Sequence, residues 1–241
     1  MRAGPLLLIG NLTRSATFSL EYIMKIRKIC IAALAFTSML LAATPGRAGL
    51  VLTLDAGNGN KIIVTDGGVG DMTSAVGAIS WAGSLGSWIF NFTAGLSNSP
   101  AIAGAATLQL TSLNATSYRG GTLTITLEED NLLFPNGTNM GATTYVGGVT
   151  TGNVSFESRL NGNTIGGLTS GAGAFSGTST TSVNTSNGFT LTEIATLTQV
   201  GAGSTGFSMM TTVPEPATLG LLGLGLIGLA FAKRRMQAQQ R

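Results

Sequence analysis

Residues 49–212 predict an all-β domain, an antiparallel β-sandwich of which a jelly roll is one form. Three observations lead there. Short runs alternate apolar and polar residues with a period of two, the pattern of strands buried on one face. Clusters of Gly, Asn, Ser and Asp separate those runs, as turns with positive φ require. No stretch of the region repeats its apolar residues at helical spacing. With 164 residues it is long enough for one domain with its own core.

The strands can be followed along the chain. Trp88, Phe90 and Phe92 alternate, then Leu108 and Leu110. Thr122 to Leu127 is the cleanest case, with Leu123, Ile125 and Leu127 on one face and threonines on the other. Val154 with Phe156, and Phe189 with Leu191, continue the pattern. Turn clusters stand at Asp66-Gly67-Gly68, Asn136-Gly137 and Asn187-Gly188. This spacing gives about eight to ten strands. Two stretches carry little pattern. Leu160 to Thr181, dominated by Gly, Ser and Thr, reads as a long loop or a weak edge strand. Gly201 to Thr212 reads similarly, with Phe207 and Met209 as candidates for a last strand.

Upstream, Lys25, Arg27 and Lys28 precede the apolar run Ile29 to Ala43, and Pro45-Gly46-Arg47-Ala48 follows. A basic start, an apolar middle and small residues at the cut make residues 24–48 a secretory signal peptide, with signal peptidase cleaving between Ala48 and Gly49. Cys30 has no lipoprotein box around it and leaves with that peptide. Residues 1–23 fit neither a signal peptide nor a domain. Met24-Lys25 makes the better start, so this stretch reads as a start assigned too far upstream or an extended n-region.

The whole chain has a formal net charge of +3 and a pI near 9.4, but its basic residues gather at the two ends. Between 49 and 212, Lys61, Arg119 and Arg159 stand against eight acidic side chains, a net of −5. That leaves no basic surface for nucleic acid or anionic lipid. The region has no cysteine and no histidine. It therefore needs no disulfide, and a Ser-His-Asp triad, a Cys-His pair and a thiolate or imidazole metal site are excluded.

Three chemistries stay open. Carboxylate catalysis of the glycosidase kind has Glu128, Glu129, Asp130, Glu157 and Glu193 to draw on. Glu128 to Asp130 reads as solvated charge where a strand gives way to a turn, so no catalytic residue is assigned. Calcium, the one cofactor these residues suggest, prefers hard oxygen ligands. Asp55, Asn58 and Asn60 supply them in one glycine-rich loop, Asp66 and Asp71 in another. Carbohydrate stacking has Trp81, Trp88, Tyr118 and Tyr145, with Trp81 and Trp88 as the primary pair, although Trp88 also follows the alternation of core residues.

After the domain the chain changes character. Val213-Pro214-Glu215-Pro216 is stiff and extended, because proline fixes φ and restrains its neighbour. Ala217 to Ala232 holds sixteen uncharged residues, a helix of about 24 Å, short of the ~30 Å apolar core of a bilayer. Lys233, Arg234 and Arg235 form a basic stop that the positive-inside tendency places in the cytoplasm. Residues 213–241 thus read as a stiff motif, a single transmembrane helix with marginal anchoring and a basic tail.

This tail, with its three parts in order, resembles the PEP-CTERM sorting signal of Gram-negative bacteria that make exopolysaccharide. The resemblance implies recognition by an exosortase, a membrane enzyme that removes the helix, and a transient stay in the inner membrane. The body would then be a structural or adhesive protein of the cell surface or exopolysaccharide matrix. A carbohydrate-binding module for the matrix polysaccharide is the alternative, and a polysaccharide-acting hydrolase a third reading.

Overall fold

The computed structural model describes residues 49–98, 105–132, 137–186 and 188–214. Residues 1–48, Asn136, Asn187, Glu215, Pro216, the apolar run 217–232 and the basic stop Lys233, Arg234 and Arg235 lie outside the described residues. Among the described residues no helix is long and apolar enough to cross a membrane.

Twelve strands run through these residues, more than the sequence spacing suggests. In chain order they are β1 (Gly49–Asp55), β2 (Lys61–Thr65), β3 (Ala78–Leu85), β4 (Trp88–Ser97), β5 (Ala106–Ser117) and β6 (Gly121–Leu132). Then follow β7 (Gly137–Thr150), β8 (Asn153–Leu160), β9 (Asn163–Ser170), β10 (Gly173–Thr185), β11 (Phe189–Gln199) and β12 (Gly203–Val213). They form two antiparallel six-stranded sheets. Sheet A has the spatial order β2-β1-β6-β11-β8-β9, and sheet B the order β10-β7-β12-β5-β4-β3.

The core lies between the sheets and follows the period-two rule. Sheet A turns Leu50, Leu52, Leu54, Leu123, Ile125, Leu127, Leu191 and Leu197 inward; sheet B answers with Trp88, Phe90, Leu108, Leu110, Phe207 and Met209. Each large apolar side chain buried this way is worth roughly 1.5–3 kcal/mol. One aromatic cluster ties the layers. Phe156 of β8 meets Phe175 of β10 at 5.4 Å and Phe207 of β12 at 5.0 Å between ring centroids.

The stretches with little pattern prove to be strands. Leu160 to Thr181 is not a long loop but most of β9 and β10, which are edge strands of the two sheets. Asn161 and Gly162, both at positive φ, make the two-residue turn from β8 into β9. The pattern fails because small residues occupy inward positions of β10. A Cβ on Gly177 would come within 3.1 Å of Leu168, so a side chain from sheet A fills what β10 leaves empty. Gly201 to Thr212 is chiefly β12, in the middle of sheet B and paired on both flanks. It extends one residue further, to Val213. Glu128 to Asp130 is also reassigned: it lies inside β6, with Glu129 turned into the core at 1% exposure.

Gly148 shows how tightly the layers close. It sits between Phe175 and Phe207 in one rung, under the aromatic cluster. A Cβ there would lie 2.3 Å from the Gly206 carbonyl and 2.7 Å from the Phe175 ring. Gly141, on the outer face of the same strand, would meet nothing closer than 3.7 Å. Gly148→Ala is therefore expected to cost about 1–3 kcal/mol of stability, and Gly141→Ala less than about 0.5 kcal/mol, by urea denaturation.

Candidate functional site

Both tryptophans are core residues. Trp88 is 1% exposed and Trp81 9%, and Trp81 packs edge-on against Phe90 at 5.2 Å. Neither presents an indole face to solvent, so the stacking role expected of this pair is corrected. Among the described residues, the large aromatics exposed to solvent are Tyr118 and Tyr145. Tyr118 donates its hydroxyl to the Gly86 carbonyl, with the Arg119 guanidinium 5.7 Å from its ring. Tyr145 stands on the outer face of sheet B, 47% exposed.

The oxygen-rich loops are built as turns. Asp55 accepts from the Gly57 amide at 2.8 Å, and the Asn60 side chain donates to the Gly57 carbonyl. Asn58 closes this hairpin at positive φ. In the loop between β2 and β3, Asp66 accepts from the Gly77 amide, and Asp71 from the amides of Gly67, Thr73 and Ser80. Burial pushes the Asp71 carboxyl up, but the Thr73, Ser80 and Gly67 amides outweigh it and hold the group below its ordinary value. The two loops sit at opposite ends of five-residue β2, on the order of 15–20 Å apart. Asp55, Asn58 and Asn60 are thus not brought together with Asp66 and Asp71. Among the described residues, no three or more His, Cys, Asp or Glu side chains group as metal ligands.

The acidic residues divide between surface and core. Glu157 pairs with Arg159 at 2.7 Å. The Arg159 hydrogen bond first, then the Thr164 hydroxyl, hold its carboxyl below the ordinary range. Glu193 takes an inward position of β11 with no exposure. Thr211 of β12 donates to its Oε1 at 2.9 Å, and Thr211 also bonds Ser158 of β8 and Thr144 of β7. This buried polar bridge joins both sheets. Glu129 lies diagonally across, since Leu191 faces Glu129 while Glu193 faces Leu127. Both carboxyls are enclosed between the layers rather than set in a cleft.

The outer faces differ in charge. Every Asp, Glu, Lys and Arg within a strand belongs to sheet A; the six strands of sheet B contain none. On sheet A an open groove of about 440 Å³ is lined by Asn153, Ser155, Thr169, Ser170, Thr196 and Thr198, among others. On sheet B a depression of about 460 Å³ is lined by Thr73, Ala78, Ile79, Ser80, Ala94, Leu96 and Thr111. Neither is legible along the chain, because their residues meet only through the register of the strands.

The end of the domain is the remaining candidate. β12 continues to Val213, which is fully buried and pairs with Ala106, and Pro214 is exposed immediately after it. The family model for the PEP-CTERM protein-sorting motif matches residues 212–235. The chain carries this sorting motif. The PEP-CTERM motif indicates export and membrane-associated sorting to the cell envelope or surface, and its first residues, Thr212 and Val213, are the last of β12.

No curated protein matches the chain. Solved structures match at low similarity. A carbohydrate-binding module CBM36 in complex with calcium and xylotriose has 10% identity over 42% of this chain and 98% of that one, with a TM-score of 0.27. TmCBM61 in complex with β-1,4-galactotriose has 4% identity over 50% and 87%, with a TM-score of 0.30. A PA14 sugar-binding domain from an RTX adhesin has 12% identity over 67% and 89%, with a TM-score of 0.29. At such values no ligand is carried over to this chain.

The buried bridge makes stability depend on pH. Burial pushes Glu193 up to about 8, against the lowering effect of the Thr211 hydroxyl and the Leu110 and Thr211 backbone. The folded form thus holds a proton that the unfolded chain releases near 4.5. Stability from this group is complete below about pH 4.5 and is lost as pH rises toward 8, on the order of 5 kcal/mol. Glu193→Gln is expected to remove that slope. Its advantage over the wild type in urea midpoint should grow from pH 5 to pH 8.5, and parallel profiles would refute the assignment.

Proposed function

We propose that this is an exported, non-enzymatic β-sandwich protein, released by signal peptidase and sorted by an exosortase-like membrane enzyme after a transient stay in the inner membrane. Its destination is the cell envelope, cell surface or extracellular matrix, and its work is structural or adhesive within exopolysaccharide. The observation that supports this most is the overlap of the sorting motif with β12. A folded body whose central strand runs straight into the signal is delivered as one rigid piece, with Pro214 marking where the paired backbone stops.

Other features support the same reading. Glu129 and Glu193 are sealed in the core, away from any substrate. The stapled loops between β1, β2 and β3 hold their shape through backbone hydrogen bonds, so a calcium ion there would add to turns already closed. Carbohydrate binding is the second reading, favoured by the neutral outer face of sheet B. A hydrolase is the least supported of the three.

The start of β1 suits the expected processing. The Gly49 amide donates to Asp130 Oδ1 at 3.0 Å, and a Cβ on Gly49 would meet that oxygen. Cleavage after Ala48 would put an α-ammonium in place of the amide, facing the carboxylate. Intact mass of the protein recovered from the cell surface is expected to begin at Gly49 and end near Pro214 to Pro216, and to do so only in cells that have the exosortase. A species that keeps residues 217–235 with or without that enzyme would reduce the tail to a plain anchor.

A further inference from the structure

We propose that the outer face of sheet B is a docking surface for a neutral polysaccharide chain, centred on the 460 Å³ depression at Leu96 and Thr111 and on Tyr145. This rests on the matrix reading above and gives it a site. The register connects the two features. Leu96 of β4 faces Gln109 of β5, Gln109 faces Met210 of β12, and Met210 faces Tyr145 of β7. These outward side chains form a ridge from the depression to the tyrosine, across four strands and about 14 Å. Leu96 is 46% exposed and Tyr145 47%, so both ends of the ridge offer contact area.

Chemistry chooses the occupant. A sugar ring has apolar C–H faces and a rim of hydroxyls, and needs an aromatic or aliphatic plane beside neutral hydrogen-bonding groups. Tyr145 and Leu96 supply the planes. Thr111, Ser208 and Gln109, whose mutual hydrogen bonds are weak at 3.2–3.4 Å, supply groups that can turn to a ligand. No strand of this sheet carries a charge. Asp71, which adjoins the depression through Thr73 and Ser80, has its oxygens on three backbone amides. Such a face has nothing to pair with a polyanion or an acidic peptide, whereas an uncharged hydroxyl-rich chain leaves no ion unpaired on it. The groove on sheet A has hydroxyls but no aromatic, and its sheet bears the acids.

Affinity electrophoresis of the mature surface-derived protein tests the site. The gels would contain dextran, β-1,4-galactan, alginate or the exopolysaccharide purified from the producing cells. Retardation is expected in at least one neutral polymer and not in alginate. Tyr145→Ala and Thr111→Asp should each weaken it about tenfold or more, and Thr196→Asp on sheet A should leave it unchanged. Thermal melts confirm that each variant is folded, and Tyr145→Ala, at an exposed position, serves if Thr111→Asp does not fold.

Retardation in none of the four gels overturns the site, as does loss with Thr196→Asp alone. Concentration-dependent dimerisation abolished by Thr111→Asp, without retardation, would assign the face to a second copy of the chain. The sorting reading fails separately. A correctly processed surface protein that binds none of the polymers refutes only the site, and a binding protein that retains its tail refutes only the sorting.

Discussion

Strand β12 is hydrogen-bonded along both flanks, to β5 and to β7, and sheet B has no middle without it. β5 and β7 do not pair with each other, so the two halves of the sheet are joined through the last strand of the domain. That pairing is remote in sequence: Met209 faces Leu110 on one side and Val146 on the other. Closing such distances carries loop entropy before any contact rewards it, which places folding toward the slow end for a domain of this size. It also means that the body cannot finish before its C-terminal residues are present, and the sorting motif begins on those same residues.

Polar groups inside the sandwich fix how the layers meet. The bridge from Glu193 through Thr211 to Ser158 and Thr144 crosses the core at one place. Gln199 of β11 crosses at another, bonding Thr205 of β12, which in turn bonds Thr150. Leucines tolerate sliding, but buried polar groups that lose their partners do not. A one-residue slip of β11 would turn Glu193 out and carry Thr192 and Ile194 inward, breaking both crossings at once. These residues give the sheets a single mutual position where leucine packing alone would admit several.

Much of the fold was readable from single strands, and the failures have a common cause. β6 declares itself because Leu123, Ile125 and Leu127 fill every other position. β10 does not, because of its inward residues only Phe175 and Val183 are large and apolar, and Leu168 from the other sheet fills the space at Gly177. Complementarity of that kind belongs to two strands together. Glu129 was misleading in the opposite sense, since a carboxyl at an inward position looks like an exposed strand end until its partners are known. The Asn-Gly pair at 161–162 was the overlooked signal, a hairpin turn that decides between a long loop and an edge strand. At the candidate site, the sorting motif was plain because it is contiguous. The surface joining Leu96 to Tyr145 was not, because four strands contribute one residue each.

The doubly paired position of β12 also sets how the domain would bear tension. A pull on Pro214 along the strand runs parallel to the two ladders, so it meets their hydrogen bonds together, in shear, instead of peeling them one by one as it would from an edge. A body tethered at this point and held elsewhere on its surface would carry load through a strand that is paired on both flanks. An attachment at Pro214 would therefore load both ladders at once.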